Sequence, residues 1–343
     1  MSTAARYLGI RAANGLLTLV GLFTIVFFIM KVAPGDEARA AAGRNANAEQ
    51  IQAMRDQLGL DEPLFVQYLT QLGRLFTGDL GRSTRTLQPV SSDLAAALPA
   101  TIELVVAAFL LALIVGTATG VIAAARRGGG SDTSLRLLAV LAGGIPAFWL
   151  AYLLQYSLGA QLQVLPVSGQ LSSGVTLPRV TGFTVLDAFL AGRPEVATDA
   201  IAHLVLPAVV VSLAVYAGLF RMLRASMVST LTGDYIDAVR AKGAGSTRVL
   251  VGHALRNSAL PVVTLLGLQV GWTIGGIVLV ETVFAWPGIG SYLSSAIIGK
   301  DVQAVFGTVL FVGIIVVLCS LAVDIIQLLI DPRIRHRRIE VKA

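Results

Sequence analysis

Carboxylates set into apolar stretches are the side chains whose chemistry here would be proton or ion transfer, since burying a charge in hydrocarbon costs about 2.5–3.5 kcal/mol. The sequence supplies few of them. Glu103 and Glu281 stand at the ends of apolar runs, where water or a neighbouring loop can solvate them, and Asp324 alone lies deep. With Asp331 soon after it, Asp324 reads as a structural partner for a neighbouring helix and not as a proton relay. His203, His253 and His336 fall at or beyond the ends of such runs and far apart, which makes a poor metal-ligand set. The single cysteine, Cys319, lies within the last apolar run, so no disulfide forms within the chain. There is no G-x-x-x-x-G-K-S/T phosphate loop, no H-E-x-x-H pair and no G-x-S-x-G elbow. A chain without a catalytic, cofactor-binding or metal site of its own is expected.

Composition says what holds these residues. Apolar residues make up 55% and charged ones 13%, against roughly 25% charged in a soluble globular domain. That is too little polar surface to cover a water-soluble body of this length. The apolar residues also come in blocks, long enough to cross roughly 30 Å of bilayer hydrocarbon at about 1.5 Å of helix rise per residue. Uncharged stretches predict spans near Gly9–Val32, Ile102–Ala125, Leu137–Leu158, Leu204–Met222, Val262–Val280 and Ala304–Ile330, an all-α polytopic membrane protein with six transmembrane helices. A secretory signal is the other reading of the first stretch, but it is long for one and more spans follow, so an uncleaved anchor is expected.

The net charge of +6 comes from short basic segments between spans and not from one nucleic-acid-binding face. Arg6 and Arg11, then Arg126, Arg127 and Arg136, then the run Arg221 to Arg256, then Arg333 to Lys342 fall on alternate sides, which puts both termini in the cytoplasm. Within the third span, Gly143-Gly144-Ile145-Pro146 loosens the helix, and Pro207 removes a hydrogen bond from the fourth. Freed carbonyls at membrane depth are tolerated where they line a cavity or are satisfied again, so Gly144, Pro146 and Pro207 are candidate hinge or pathway positions.

The segment 34–100, read as external, carries its own helices. Asn47 with Gln50 reads as a capping box for a short helix bearing Ile51, Met54 and Leu58, which Gly59 ends. Asp61 and Pro63 open a second, in which Phe65, Tyr68, Leu69, Leu72, Leu75 and Phe76 share one face. A small folded cap, a membrane-surface helix and a helix merely packed on the spans all fit that face. The other external segment is irregular between Pro166 and Gly182, with a short helix near Val185–Leu190.

The longest cytoplasmic loop is the most specific part. Asp234 is placed to cap a short helix containing Asp237, Ala238, Arg240 and Ala241, with Gly243 as its stop and Gly245 turning the chain before a second helix returns to Leu260-Pro261. A short helix with small side chains suits docking into a groove on a partner; charge alone would make it a solvated basic loop. The stretch Asp234-Tyr235-Ile236-Asp237-Ala238-Val239-Arg240-Ala241-Lys242-Gly243, continued by His253-Ala254-Leu255-Arg256-Asn257-Ser258-Ala259-Leu260-Pro261, resembles the coupling-loop signature of bacterial ATP-binding-cassette importer permeases. It looks most like the dipeptide and oligopeptide branch, in the subunit type with the larger external segment after the first span. Further matches are Leu58-Gly59-Leu60-Asp61 with Gln67-Tyr68, Gly78-Asp79-Leu80-Gly81, Gly144-Ile145-Pro146 with Phe148-Trp149, Glu281 through Gly288, and Asp331-Pro332-Arg333. Asp237 stands where the family usually has glutamate, Val239 replaces an alanine, and the Leu-Pro comes late after Gly243.

The resemblance implies a type I importer-like permease fold with a small external helical region. Its divisions would be a first span over 1–33, the external segment 34–100, a permease core over 101–330 containing a coupling loop at 223–258, and a basic tail over 331–343. It implies a second permease subunit, two cytosolic ATPase subunits or domains that bind ATP and Mg, an extracytoplasmic peptide-binding protein, and a bacterial cytoplasmic membrane around them. Tyr235, Asp237, Ala238, Arg240, Ala241, Lys242 and Gly243 would then contact an ATPase. The same permease class serving nickel or a modified peptide is the alternative; a secondary transporter fits the scarcity of buried charge less well.

Overall fold

The computed structural model describes residues 3–32, 35–43 and 45–330. His336, the Asp331-Pro332-Arg333 match and the basic run from Arg333 lie outside them. In chain order the helices are α1 (Thr3–Val32), α2 (Glu37–Ala42), α3 (Ala48–Gln57), α4 (Leu64–Phe76), α5 (Val90–Ala125), α6 (Gly130–Gly144), α7 (Ala147–Leu154), α8 (Thr184–Leu190), α9 (Pro194–Leu231), α10 (Asp234–Ala241), α11 (Arg256–Val283), α12 (Ile289–Ile298) and α13 (Val302–Ile330). Stretches of π-helix extend α7 over Gln155–Gln161 and precede α11 over Arg248–Leu255. Among the described residues the only β-type pairing is an isolated bridge between Arg82 and Pro89.

Among the described residues five helices are long and apolar enough to cross a membrane, and α6 with α7 makes a sixth when the bent pair is taken as one span. The third span is therefore broken, not merely loosened: its two halves meet at 100°. Pro146 cannot donate to Ala142, and Ile145 is extended at ψ 127, as the residue before a proline prefers. Helices also run past the apolar stretches that reveal them. α5 begins at Val90, inside the segment read as external, because hydropathy marks only the part of a helix that meets hydrocarbon.

The described chain packs as two units. One comprises the residues up to Thr101 with Pro287–Leu318. Its core joins Phe23 and Phe27 of α1 to Phe306 and Leu310 of α13, with Tyr68, Leu72 and Leu75 of α4 against them. The Tyr68 hydroxyl meets Thr24 Oγ1 at 2.9 Å. The apolar face of α4 is thus divided, since Phe65 and Phe76 remain 70% and 67% exposed. α3 has the predicted capping box, Gln50 N–H donating to Asn47 Oδ1 at 2.8 Å and Asn47 N–H to Gln50 Oε1 at 3.0 Å. Gly59, at φ +65°, closes it. A second cluster sets Val90, Leu94 and Ala97 of α5 on Ile289 and Ala296 of α12, a helix the sequence reading did not anticipate. Here the buried Asp301 collects Ser83 Oγ at 2.6 Å, Arg85 N–H at 3.3 Å and the α13 amide of Ala304 at 3.1 Å, tying the 82–89 turn to the start of α13.

The other unit comprises Ile102–Trp286 and the chain from Cys319. α9 runs through its middle, packed on α6, α7, α8 and α11. Val215, Tyr216 and Phe220 fill the space against Ala112, Ala139 and Ala142, small residues that let the backbones approach. Arg224 of α9 grips Asp132 of α6 with both ends of its fork, at 2.6 and 2.7 Å, and the Asp132 side chain is 1% exposed. Glu103 is satisfied by the first turn of α8, accepting from the amides of Thr184 at 3.2 Å and Val185 at 2.8 Å, while Glu281 is buried in the last turn of α11.

A close approach at Gly267 of α11 supplies one prediction. A Cβ there would lie 2.3 to 2.9 Å from three atoms of Val323, whose β-branched side chain has little room to turn. Gly267→Ala is expected to destabilise by about 1–3 kcal/mol through overpacking, and Val323→Ala in the same chain to restore most of it, read as thermal midpoints in detergent.

A second prediction concerns the irregular segment before α9. Buried Asp187 of α8 accepts from the Thr181 hydroxyl at 2.6 Å and from the amides of Thr181, Gly182 and Val180 at 2.7, 2.9 and 3.2 Å. Burial alone would push its carboxyl up, but these hydrogen bonds together hold it below the ordinary carboxylate value. A lowered folded pKa gives stability that is fully present above the unfolded value of about 3.9 and is lost as the pH falls through the folded one. Hydrogen exchange at residues 180–182 should accordingly lose protection only below that range, and Asp187→Ala should lose it at neutral pH.

Candidate functional site

α9 ends at Leu231, and the chain turns through Thr232 and the extended Gly233 into α10. Gly233 is the cap, and no side chain caps the helix; Asp234, read from sequence as the cap, is its first helical residue. With its backbone already helical, the Asp234 carboxylate complements the positive end of the helix dipole from inside the first turn.

One side chain seats the helix. Ile236 is 0% exposed, Val239 is half-buried, and every other residue of α10 is exposed. All of the predicted contact residues, Tyr235, Asp237, Ala238, Arg240, Ala241, Lys242 and Gly243, therefore lie open on a helix held by its apolar side. Arg240 meets Asp237 at 3.2 Å in an exposed pair that adds little stability.

The end of α10 is built on a glycine. Gly243 sits at φ +82°, its N–H donating to Arg240 O at 2.9 Å, while Ala244 N–H donates to Val239 O at 3.4 Å. That double closure is a Schellman ending, in which the left-handed residue is usually glycine. Nothing lies within 4 Å of where a Cβ would stand, so the conformation and not the space calls for glycine here.

Two contacts that sequence reasoning missed brace the loop. The Tyr235 hydroxyl meets His253 Nδ1 at 2.8 Å, joining α10 to the π-helical stretch before α11. Below it, Leu219, Leu223 and Met227 of α9 pack with Ala254 and Val262, so the departing and returning helices share one core. The π-helical stretch runs into α11 without a break, and the Tyr235–His253 contact joins α10 to it across the turn after Gly243. Ile236 was legible as the lone strongly apolar side chain in the first turn of a charged helix; the Tyr235–His253 pair had no signal in spacing. Gly144 and Pro146 flank the 100° corner, and Pro207 is buried within an unbroken α9; none of the three belongs to the open surface of α10.

The sequence matches the family model described as binding-protein-dependent transport system inner membrane component over residues 116–336, and that family's N-terminal component over 4–105. Among curated proteins it is 40% identical to the probable D,D-dipeptide transport system permease protein of Escherichia coli K12, covering 93% of this chain and 94% of that one. It is 38% identical to the di/tripeptide transport system permease protein of Pseudomonas aeruginosa UCBPP-PA14, over 98% and 100% of the two chains. To the dipeptide transport system permease protein of Alkalihalophilus pseudofirmus it is 37% identical, over 93% and 96%.

Proposed function

The chain belongs to the family of binding-protein-dependent transport system inner membrane components, and from that premise we propose that it carries di- and oligopeptides inward, driven through α10 by an ATPase subunit. It is a multi-pass permease subunit of an ATP-binding-cassette importer. Peptide as the solute is supported by relatives of nearly full-length match, each named for dipeptide or di/tripeptide transport. The observation that carries the role of α10 is its exposure: a helix seated by Ile236, with every predicted contact residue open and a side-chain link through Tyr235 and His253 to the stretch that leads into α11.

In this reading the loop and both termini face the cytoplasm, as the alternation of basic segments favours. A second permease subunit completes the conduit, and an external binding protein delivers the peptide. ATP and Mg bind the two partner ATPases. ATP favours their closed pair, α10 follows, and the cavity between the permeases opens outward; hydrolysis returns it. ATP acts only through its difference in affinity for the two states, so the contact must differ between them.

The test is uptake of labelled dipeptides into proteoliposomes holding the complete importer. Uptake should require ATP, both ATPases and the loaded binding protein. Accumulation that persists without the ATPases would make the chain a secondary transporter and sink the reading, while uptake of nickel alone would replace the peptide.

A further inference from the structure

The apolar face of α4 is wider than its contact with the rest of the first unit. Tyr68, Leu72 and Leu75 pack inward, while Phe65, Leu69 and Phe76 remain 70%, 48% and 67% exposed. At about 100° of turn per residue these three fall within about 40° of one another, so they form one stripe beside the packed one. Gln67, Thr70, Gln71 and Arg74 occupy the opposite side, where they line a polar cleft with Lys31 and Gln303. A helix divided in this way, with large side chains on its open apolar face, suits the boundary of a bilayer.

The contacts of α4 fix its height along α1. The Tyr68 hydroxyl meets Thr24 Oγ1 at 2.9 Å, and its ring lies 5.3 Å from that of Phe23, 5.4 Å from Phe27 and 6.5 Å from Phe28. The apolar span of α1 runs Gly9–Val32, and roughly 30 Å of hydrocarbon takes up about 20 of those residues. Wherever about 20 consecutive residues are placed in that stretch, they include Phe23 and end at Phe28 or later. The residues that Tyr68 touches therefore lie at hydrocarbon level, in the half of the span away from the N-terminus.

The stripe also continues a surface of the span itself. α13 packs against Phe23 and Phe27 of α1, and its Gln303 shares the cleft with Gln67 and Gln71 of α4, so Phe28 and the stripe both lie on the side away from α13. Phe28 in turn belongs to the exposed row Ile25, Phe28, Ile29 and Val32 of α1. We propose that α4 is an interfacial helix, with Phe65, Leu69 and Phe76 among the acyl chains and Thr70 and Arg74 turned to water. A helix of a partner subunit fits less well, because helices in membranes close on one another over small residues and this stripe consists of large ones.

The experiment places one cysteine at a time in a Cys319→Ser chain, labels it with the fluorophore NBD, and reads the complete importer in nanodiscs of phosphatidylcholine and phosphatidylglycerol. Phe65→Cys, Leu69→Cys and Phe76→Cys should be quenched by a nitroxide-bearing lipid several-fold more than Thr70→Cys, and about as strongly as Ile25→Cys on α1. Iodide in the water should show the reverse order, with Glu49→Cys of α3 as the exposed reference. All of these positions are at the surface, so the packing stays intact, and peptide uptake by each labelled variant reads the proposed transport separately. Iodide quenching of the stripe as strong as at Glu49→Cys would overturn the proposal, since α4 would then be a cap in water. Quenching by neither agent would overturn it as well, by giving the stripe to a partner subunit. So would lipid quenching that disappears when loaded binding protein is added.

Discussion

Gly243→Asp will leave the chain in the membrane and cut coupled peptide uptake about tenfold or more. The left-handed backbone at φ +82° costs an ordinary residue about 1–2 kcal/mol, enough to shift a two-state joint by roughly tenfold. Because no atom lies within 4 Å of the added Cβ, the change meets no steric block inside the chain, and its carboxylate is presented on the surface proposed to meet the ATPase. Gly243→Asn isolates the charge, since asparagine and aspartate both visit the left-handed region and only aspartate is charged. Transport by Gly243→Asp is expected to fall about tenfold or more, while the Asn variant keeps most of its activity. ATP hydrolysis in the assembled complex should no longer respond to loaded binding protein. Normal uptake by Gly243→Asp would refute the assignment of α10.

The largest effect on stability is expected at Asp132 and Arg224. Removing one member of a buried pair strands the other charge, which costs about 3–5 kcal/mol. Asp132 is the more demanding site, because its carboxylate also accepts the Gly128 amide at 2.9 Å and stands 3.6 Å from Arg136. Asp132→Ala and Arg224→Ala should each lower the thermal midpoint of the solubilised protein steeply, with Asp132→Ala the worse. The double change Asp132→Leu with Arg224→Met should recover much of the loss, since an apolar pair of similar volume needs no charge compensation. Single variants as stable as the parent would mean that the pair is open to water.

What the sequence revealed and what it hid divide by range. The box at Asn47 and the stops at Gly59 and Gly243 depend on residues within a turn of one another, and each was read correctly from spacing. The break at Gly144–Pro146 was visible as chemistry, but its angle was not, because nothing local sets the direction in which α7 leaves. The pairings that lock the structure were out of reach: Ser83 and Asp301 stand 218 residues apart, Asp132 and Arg224 stand 92 apart, and no periodicity links them. α12 escaped for another reason, being too short to span a membrane and following Pro287-Gly288, which reads as a turn. Asp234 was misjudged by one position, which is enough to turn a cap into a first-turn acid.

A rod bears compression along its axis only while its internal bonding is unbroken. In this chain α10 connects to α9, and α9 is cross-braced to α6 by the Arg224 fork, so under the proposed coupling a push on α10 would reach α6 through that brace. The 100° corner interrupts the helix at Ile145, so the same push would reach α7 only through its side-by-side packing on α9 and α11, not along the helix axis.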